Sequence, residues 1–228
     1  MRIRADNWMP MNGDPADEKP GYVVEILRAI CAQNGHELDY ELMPWDDSLA
    51  AARAATIDGV IGAGAAEAEG LILPAEPIGT ARVALWLRKE KSWVYHGVES
   101  LAPLRLGVNP GYSYWGEIDA YIKTAVAPQV SAFSGDDPLV EMIRKLHSGE
   151  LDVVPETESV FVWNARVLGF APEDFRSEYT HAGDPIYVAF SSGEQGRKWV
   201  ALFDAGMQRL RESGELRRIL ERYGLKRL

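Results

Sequence analysis

Cysteine occurs once, at Cys31, so no intrachain disulfide can form and redox compartment stays open. The four histidines, His36, His96, His147 and His181, are scattered, with no His-x-x-x-His or cysteine partner that would suit a metal. There is no apolar run of about eighteen residues, the length a membrane span needs. The chain opens Met-Arg-Ile-Arg-Ala-Asp with no leader-like segment, which leaves either a cytoplasmic protein or one whose leader, a signal peptide, has been removed. Basic residues are in deficit: 24 Lys and Arg against 34 Asp and Glu give a net charge of −10, an overall field that opposes a nucleic-acid backbone. Two catalytic or cofactor signatures also fail. Gly111-Tyr-Ser-Tyr-Trp-Gly116 spaces its second glycine one residue too far for G-x-S-x-G, and Gly62-Ala-Gly64 is followed by Glu67 where a dinucleotide loop needs glycine. No cofactor is called for.

What remains is a chain of 228 residues, 46% hydrophobic, long enough for a sizeable core. A short strand over residues 2–6 leads through a Pro- and Gly-bearing loop to a helix with Val23, Ile26, Leu27, Ile30 and Cys31 on one stripe, stopped by Asn34-Gly35. A strand over 38–43, an alanine-rich helix after Trp45-Asp46-Asp47, and a strand over 59–62 follow. Residues 81–87 read as a strand. The stretch 105–116 reads as a buried strand, a Pro110-Gly111 turn and a helix start with Ser113 as its N-cap. Such a turn points backbone donors out at the strand's carboxyl end, beside the rings of Tyr112, Tyr114 and Trp115. Strands are expected at 129–133, 151–155 and 186–190, helices at 138–147 and 158–168, and two final helices broken at Ser213-Gly214. The βαβαβ alternation favours parallel sheets covered by helices.

One unit occurs twice. Asp46-Asp-Ser-Leu49 opens a helix ending at Asp58-Gly-Val-Ile61, and Asp136-Asp-Pro-Leu139 opens a longer one ending at Asp152-Val-Val154. Two similar α/β lobes would leave a cleft between them.

The chain resembles the family 3 extracellular solute-binding proteins, the amino-acid-type receptors of bacterial ABC importers. The resemblance rests on Pro20-Gly-Tyr-Val-Val-Glu-Ile26, Trp45-Asp-Asp-Ser-Leu49, Ile57-Asp-Gly-Val-Ile61, Leu104-Arg-Leu-Gly-Val-Asn-Pro-Gly111, Gly149-Glu-Leu-Asp-Val-Val154 and the ending from Ser213 to Gly224. It implies a two-lobed type II periplasmic-binding-protein fold, α/β, with each lobe a doubly wound sheet flanked by helices. Lobe 1 would be discontinuous, 1–85 plus 188–228, with 86–187 inserted as lobe 2 and a ligand cleft between them. It further implies a periplasmic or exported location, an ABC permease as partner, closure over a small solute and no enzymatic chemistry. Trp8 matches the aromatic that stacks on the ligand and Trp45 the wall opposite. Gly64 and Ala65 fall at the first lobe's backbone contacts, and Tyr112 and Ser113, with Tyr114 beside them, at the second lobe's helix-start contacts.

Two charged anchors depart from the family's pattern. Its carboxylate-binding arginine would lie in 63–70, yet no Lys or Arg occurs between Asp58 and Arg82. Its ammonium-binding aspartate would fall at Thr157, which has Glu156 and Glu158 beside it. Asp6, Glu67, Glu69, Glu156 and Glu158 would make the cleft acidic as well as aromatic, suited to an amino-acid-like but cationic or neutral solute. Arg82 is the alternative partner for a carboxylate. The expected protein is a monomer that neither binds nucleic acid nor inserts into a membrane. A ligand-sensing domain of a signalling protein is the alternative function. A dehydratase-like enzyme using Glu156 or Asp6 as general acid stands behind both.

Overall fold

The computed structural model describes residues 1–110, 112, 114, 116–125, 129–135, 138–179, 183–226 and 228. Strand and helix alternate from the start: β1 (Arg2–Ala5), α1 (Tyr22–Gln33), β2 (Asp39–Leu42), α2 (Trp45–Arg53) and β3 (Gly59–Gly64), then the short β4 (Leu71–Ile72) and β5 (Gly79–Ala81). Next come β6 (Val83–Arg88), β7 (Leu106–Val108), α3 (Gly116–Thr124), β8 (Val130–Ala132), α4 (Pro138–Ser148), β9 (Val154–Thr157), α5 (Glu158–Val167) and β10 (Phe175–Tyr179). β11 (Asp184–Ser191), α6 (Glu194–Glu212) and α7 (Glu215–Arg222) end the chain. Contacts divide it into unit 1, Met1–Thr80 with Asp184–Leu228, and unit 2, Ala81–Gly183. No helix among the described residues is long and apolar enough to cross a membrane.

In unit 1 the strands run β2-β1-β3-β11-β4, with β5 also on β11. β1 is parallel to both β2 and β3, as the alternation led one to expect, but β11 runs antiparallel to β3 and β4. Residues of the inner strands, Ile3, Ala5, Val60, Ile61, Ala63, Val188, Ala189 and Phe190, are all buried, the mark of strands covered on both faces. β3 reaches two residues further than its apolar pattern suggests, to Gly64. Small residues at 62–64 look like a loop in sequence, yet pairing with Ile186 and Tyr187 of β11 keeps them extended.

Unit 2 is organised on β6. Val83, Leu85 and Leu87 face one core with Leu101, Leu104, Leu106, Tyr114, Ile118 and Val153, while Ala84 and Trp86 face another with Met142, Ile143, Leu146, Phe161 and Phe175. Alternation on one strand thus feeds two layers, as its period of two requires. β7 and β8 are parallel, but β6 is antiparallel to β9 on one side and β10 on the other. The strand expected at 151–155 is displaced to Val154–Thr157, because the register with β6 continues to Val83 opposite Thr157. β10 is an addition that the sequence did not announce. The proposed helix cap at Ser113 lies outside the described residues, and α3 begins at Gly116.

A loop over residues 7–13 is docked on the start of α1. The first free N–H groups of that helix, from Tyr22 and Val23, donate to Pro10 O (2.9 Å) and Met11 O (3.0 Å), and Gly13 N donates to Pro20 O (2.7 Å). The Met9–Pro10 peptide is cis. Gly21 makes this docking possible: its φ is +114°, and a Cβ there would lie 2.4 Å from Asn12 Cα and from Met11 O. The Pro-Gly-Tyr signature is therefore the seat of the loop that carries Trp8.

Candidate ligand-binding site

In unit 1, β1 delivers Asp6 at its carboxyl end and the docked loop delivers Trp8. Trp8 N donates to Asn12 O (2.8 Å), and Asn12, fully buried, donates its side-chain amide to Asp6 O (2.5 Å). The Trp8 ring lies over the backbone of β3: a Cβ on Gly62 would be 3.2 Å from Trp8 Cε3. A Cβ there would push the indole back by a few tenths of an ångström, and the φ of +102° at Gly62 favours glycine in its own right. Trp8 and Trp45 are both half-buried and so belong to neither extreme, core or surface.

Trp45 opens α2 and donates its indole Nε1 to Glu67 Oε1 (3.0 Å). The other oxygen, Glu67 Oε2, accepts Gly64 N (3.0 Å) at the end of β3. Ala68 N closes the turn on Gly64 O (3.0 Å), leaving Ala65 exposed. Burial pushes the Asp6 carboxyl up, its own backbone N–H opposes this, and the Glu67 charge adds to the rise. Asp6, Trp8, Trp45, Gly64 and Glu67 thus form one acidic, aromatic group within unit 1. Glu69 is exposed, and Arg53 donates to the backbone carbonyls of Glu67 (2.8 Å) and Glu69 (3.1 Å).

In unit 2, Glu156 and Thr157 are not loop residues but the end of β9, and both are buried. Glu156 Oε1 accepts Thr157 N (2.6 Å), and its backbone carbonyl accepts Trp86 Nε1 (3.2 Å). Desolvation raises the Glu156 carboxyl to about 7, against the lowering effect of its hydrogen bonds from Thr157. Tyr114 is buried and its hydroxyl oxygen accepts Asn109 N (2.8 Å). Burial pushes its ionisation well above the ordinary tyrosine range, the Asn109 bond opposes that, and the Glu156 charge adds to it. Tyr112 is 46% exposed. Ser113 lies outside the described residues, and Glu158 is exposed.

The sequence did not single out Asn12 or Trp86, and it marked Gly62 only as part of a failed dinucleotide signature. Asn12 stands in a Met-Asn-Gly turn and Gly62 in a glycine-alternating strand, signals that mark tight backbone without saying what approaches it.

The model of the bacterial extracellular solute-binding proteins, family 3, matches residues 2–226. No curated protein sequence matches the chain. Among solved structures, a histidine kinase sensor domain similar to periplasmic binding proteins is 18% identical, with 98% of this chain and 95% of that one covered at a TM-score of 0.72. An ancestral arginine-binding protein bound to arginine is 18% identical, covering 98% and 97% at 0.71. The amino acid ABC transporter substrate-binding protein AbpA from Streptococcus pneumoniae, bound to L-arginine, is 19% identical, covering 98% and 93% at 0.69. At these identities the likeness establishes the fold, two α/β lobes with doubly wound sheets flanked by helices. Matched over nearly its whole length, the chain belongs to family 3 of the bacterial extracellular solute-binding proteins, which bind solutes and are not enzymes.

Proposed function

We propose that this chain is the solute receptor of an ABC-type importer, working in the periplasm or outside the cell, and that its solute is a small polar molecule, cationic or neutral. The solute is not an α-amino acid held by an arginine and an aspartate. The observation that carries this reading is the pair of carboxylates, Asp6 and Glu67, beside two half-buried indoles, in a segment with no Lys or Arg from 59 to 81. Indole faces and carboxylates together attract a cation. Unit 2 would contribute Tyr112, Ser113, Tyr114, Glu156 and Thr157. A solute touching residues of both units favours the conformation in which it touches both.

The test is a thermal-shift screen of protein stripped by partial unfolding and dialysis, against amino acids, polyamines, quaternary amines, organic acids and short peptides. A solute at a thousand times its dissociation constant adds about 4 kcal/mol of stability. Cationic hits support the reading; α-amino acids as the strongest hits would restore a carboxylate anchor, with Arg82 the candidate.

The likeness to a histidine kinase sensor domain favours a second reading, a ligand-sensing domain. Reading the gene beyond Leu228 separates the two: an in-frame transmembrane helix and kinase give the sensor, and an adjacent permease and ATPase give the importer.

A further inference from the structure

Two N–H donors from distant parts of unit 1 converge on one carboxylate. The Gly64 amide and the Trp45 indole each meet a different oxygen of Glu67 at 3.0 Å, so both oxygens are engaged. A pair of donors that grips two oxygens of one group is the arrangement that receives a carboxylate. Here the chain supplies that carboxylate itself. The Gly64 half is also a local turn contact, since Glu67 lies three residues on and can cap the turn. The Trp45 half is not local: it spans 22 residues and ties the start of α2 to the end of β3.

We propose that Glu67 is a built-in carboxylate that sets the specificity of the unit 1 site, admitting amines without a carboxylate and rejecting the corresponding amino acids. This rests on the solute-receptor reading above. An incoming carboxylate finds both donors already engaged and meets the charges of Glu67 and Asp6. Arg53, the cation that the fold brings to this turn, is committed to the backbone carbonyls of Glu67 and Glu69. An ammonium or guanidinium group meets the opposite situation, two indoles and two carboxylates. Discrimination thus comes from a repulsive element as much as from an attractive one.

The experiment uses pairs that differ only by the carboxylate: agmatine and arginine, cadaverine and lysine, histamine and histidine. Titration calorimetry and tryptophan fluorescence are read on the wild type, Glu67→Gln and Glu67→Ala. Glutamine keeps a turn-capping side chain but removes the charge, and alanine also frees the donors. The wild type is expected to bind at least one decarboxylated member about tenfold or more tighter than its amino acid, and each variant to narrow that ratio by about tenfold. Melting curves show whether each variant is folded, and a merely structural role for Glu67 would move the melting temperature and leave the ratio unchanged. Equal or tighter binding of the amino acids by the wild type, or a ratio unchanged in both variants, overturns the role of Glu67 while leaving solute binding intact. Silence from all six compounds on all three proteins overturns this inference, and the wider screen above then decides whether another solute binds.

Discussion

Asp58 and Asp152 perform the same task in different units: Asp58 Oδ2 accepts the backbone N–H of Arg2 at 2.6 Å, and Asp152 Oδ2 accepts that of Arg105 at 3.0 Å. Asp58 stands just before β3 and Asp152 just before β9, so the repeated Asp-x-Val pattern is a repeated way of fastening the start of one strand to the head of another, β1 in unit 1 and β7 in unit 2. Asp152 goes further, with ion pairs to Arg105 Nε and Lys91 Nζ, both at 2.9 Å.

Asp152→Ala should destabilise the protein by about 2 kcal/mol, less than the roughly 3–5 kcal/mol of a wholly buried pair because Arg105 and Lys91 keep contact with water. Burial would raise the Asp152 carboxyl, but Arg105, Lys91 and the Arg105 amide outweigh it and hold it well below the usual range. Its contribution is therefore present above the unfolded value near 4 and lost as pH falls towards the folded one. Urea midpoints of wild type and variant, compared at pH 7 and pH 3.5, should differ most at pH 7.

Glu156 has the opposite sign. Its carboxyl is raised from 4.5 to about 7 in the fold, so ionising it costs stability as pH rises across that interval. Glu156→Gln keeps an acceptor for Thr157 N and removes the charge. It should be near neutral at pH 4 and stabilising by up to about 3 kcal/mol at pH 8, as thermal melting across pH will show.

Gly21→Ala should cost about 3 kcal/mol, the upper end of overpacking, because backbone rather than a flexible side chain occupies the space its Cβ needs. The damage should reach the site as well. Displacing the loop over residues 7–13 displaces Trp8, so tryptophan fluorescence of the folded variant should change and solute binding weaken.

Trp8→Ala and Trp45→Ala should each weaken solute binding by about tenfold or more, with only modest loss of stability for half-buried rings. Trp45→Phe keeps an aromatic face, though a smaller one, and removes the N–H that Glu67 accepts, so its loss should be smaller. Titration calorimetry on the folded variants measures both.

The parts of the fold legible in the sequence are those fixed by local pattern. The stripe from Val23 to Cys31, the break at Ser213-Gly214 and the strand headed by Asp58 all depend on residues close together in the chain. β10 was missed because its five residues are held by pairing with β6, about ninety positions earlier, and nothing around Phe175 signals that partner. The site was half legible for the same reason. Trp8 and Trp45 stand out as aromatics after strands, and Glu67 stands out as one of five acids expected to make the cleft acidic. That its two oxygens meet donors from the end of β3 and the start of α2 is a tertiary fact.

The strand pairs near the crossings between units have a consequence for the chain's modularity. In unit 1, Ile78 N donates to Ile186 O at 2.8 Å, and in unit 2, Ala84 lies opposite Tyr179. Each unit therefore ties its own two ends together. A gene in which a short glycine linker joins Thr80 to Asp184 would retain the pairs among β1, β2, β3, β4 and β11 and lose only the last residue of β5, and its product would be a half-receptor carrying Asp6, Trp8, Trp45 and Glu67 alone. Unit 2 is, in that sense, a cassette that recombination can exchange at the cost of one residue at the end of β5.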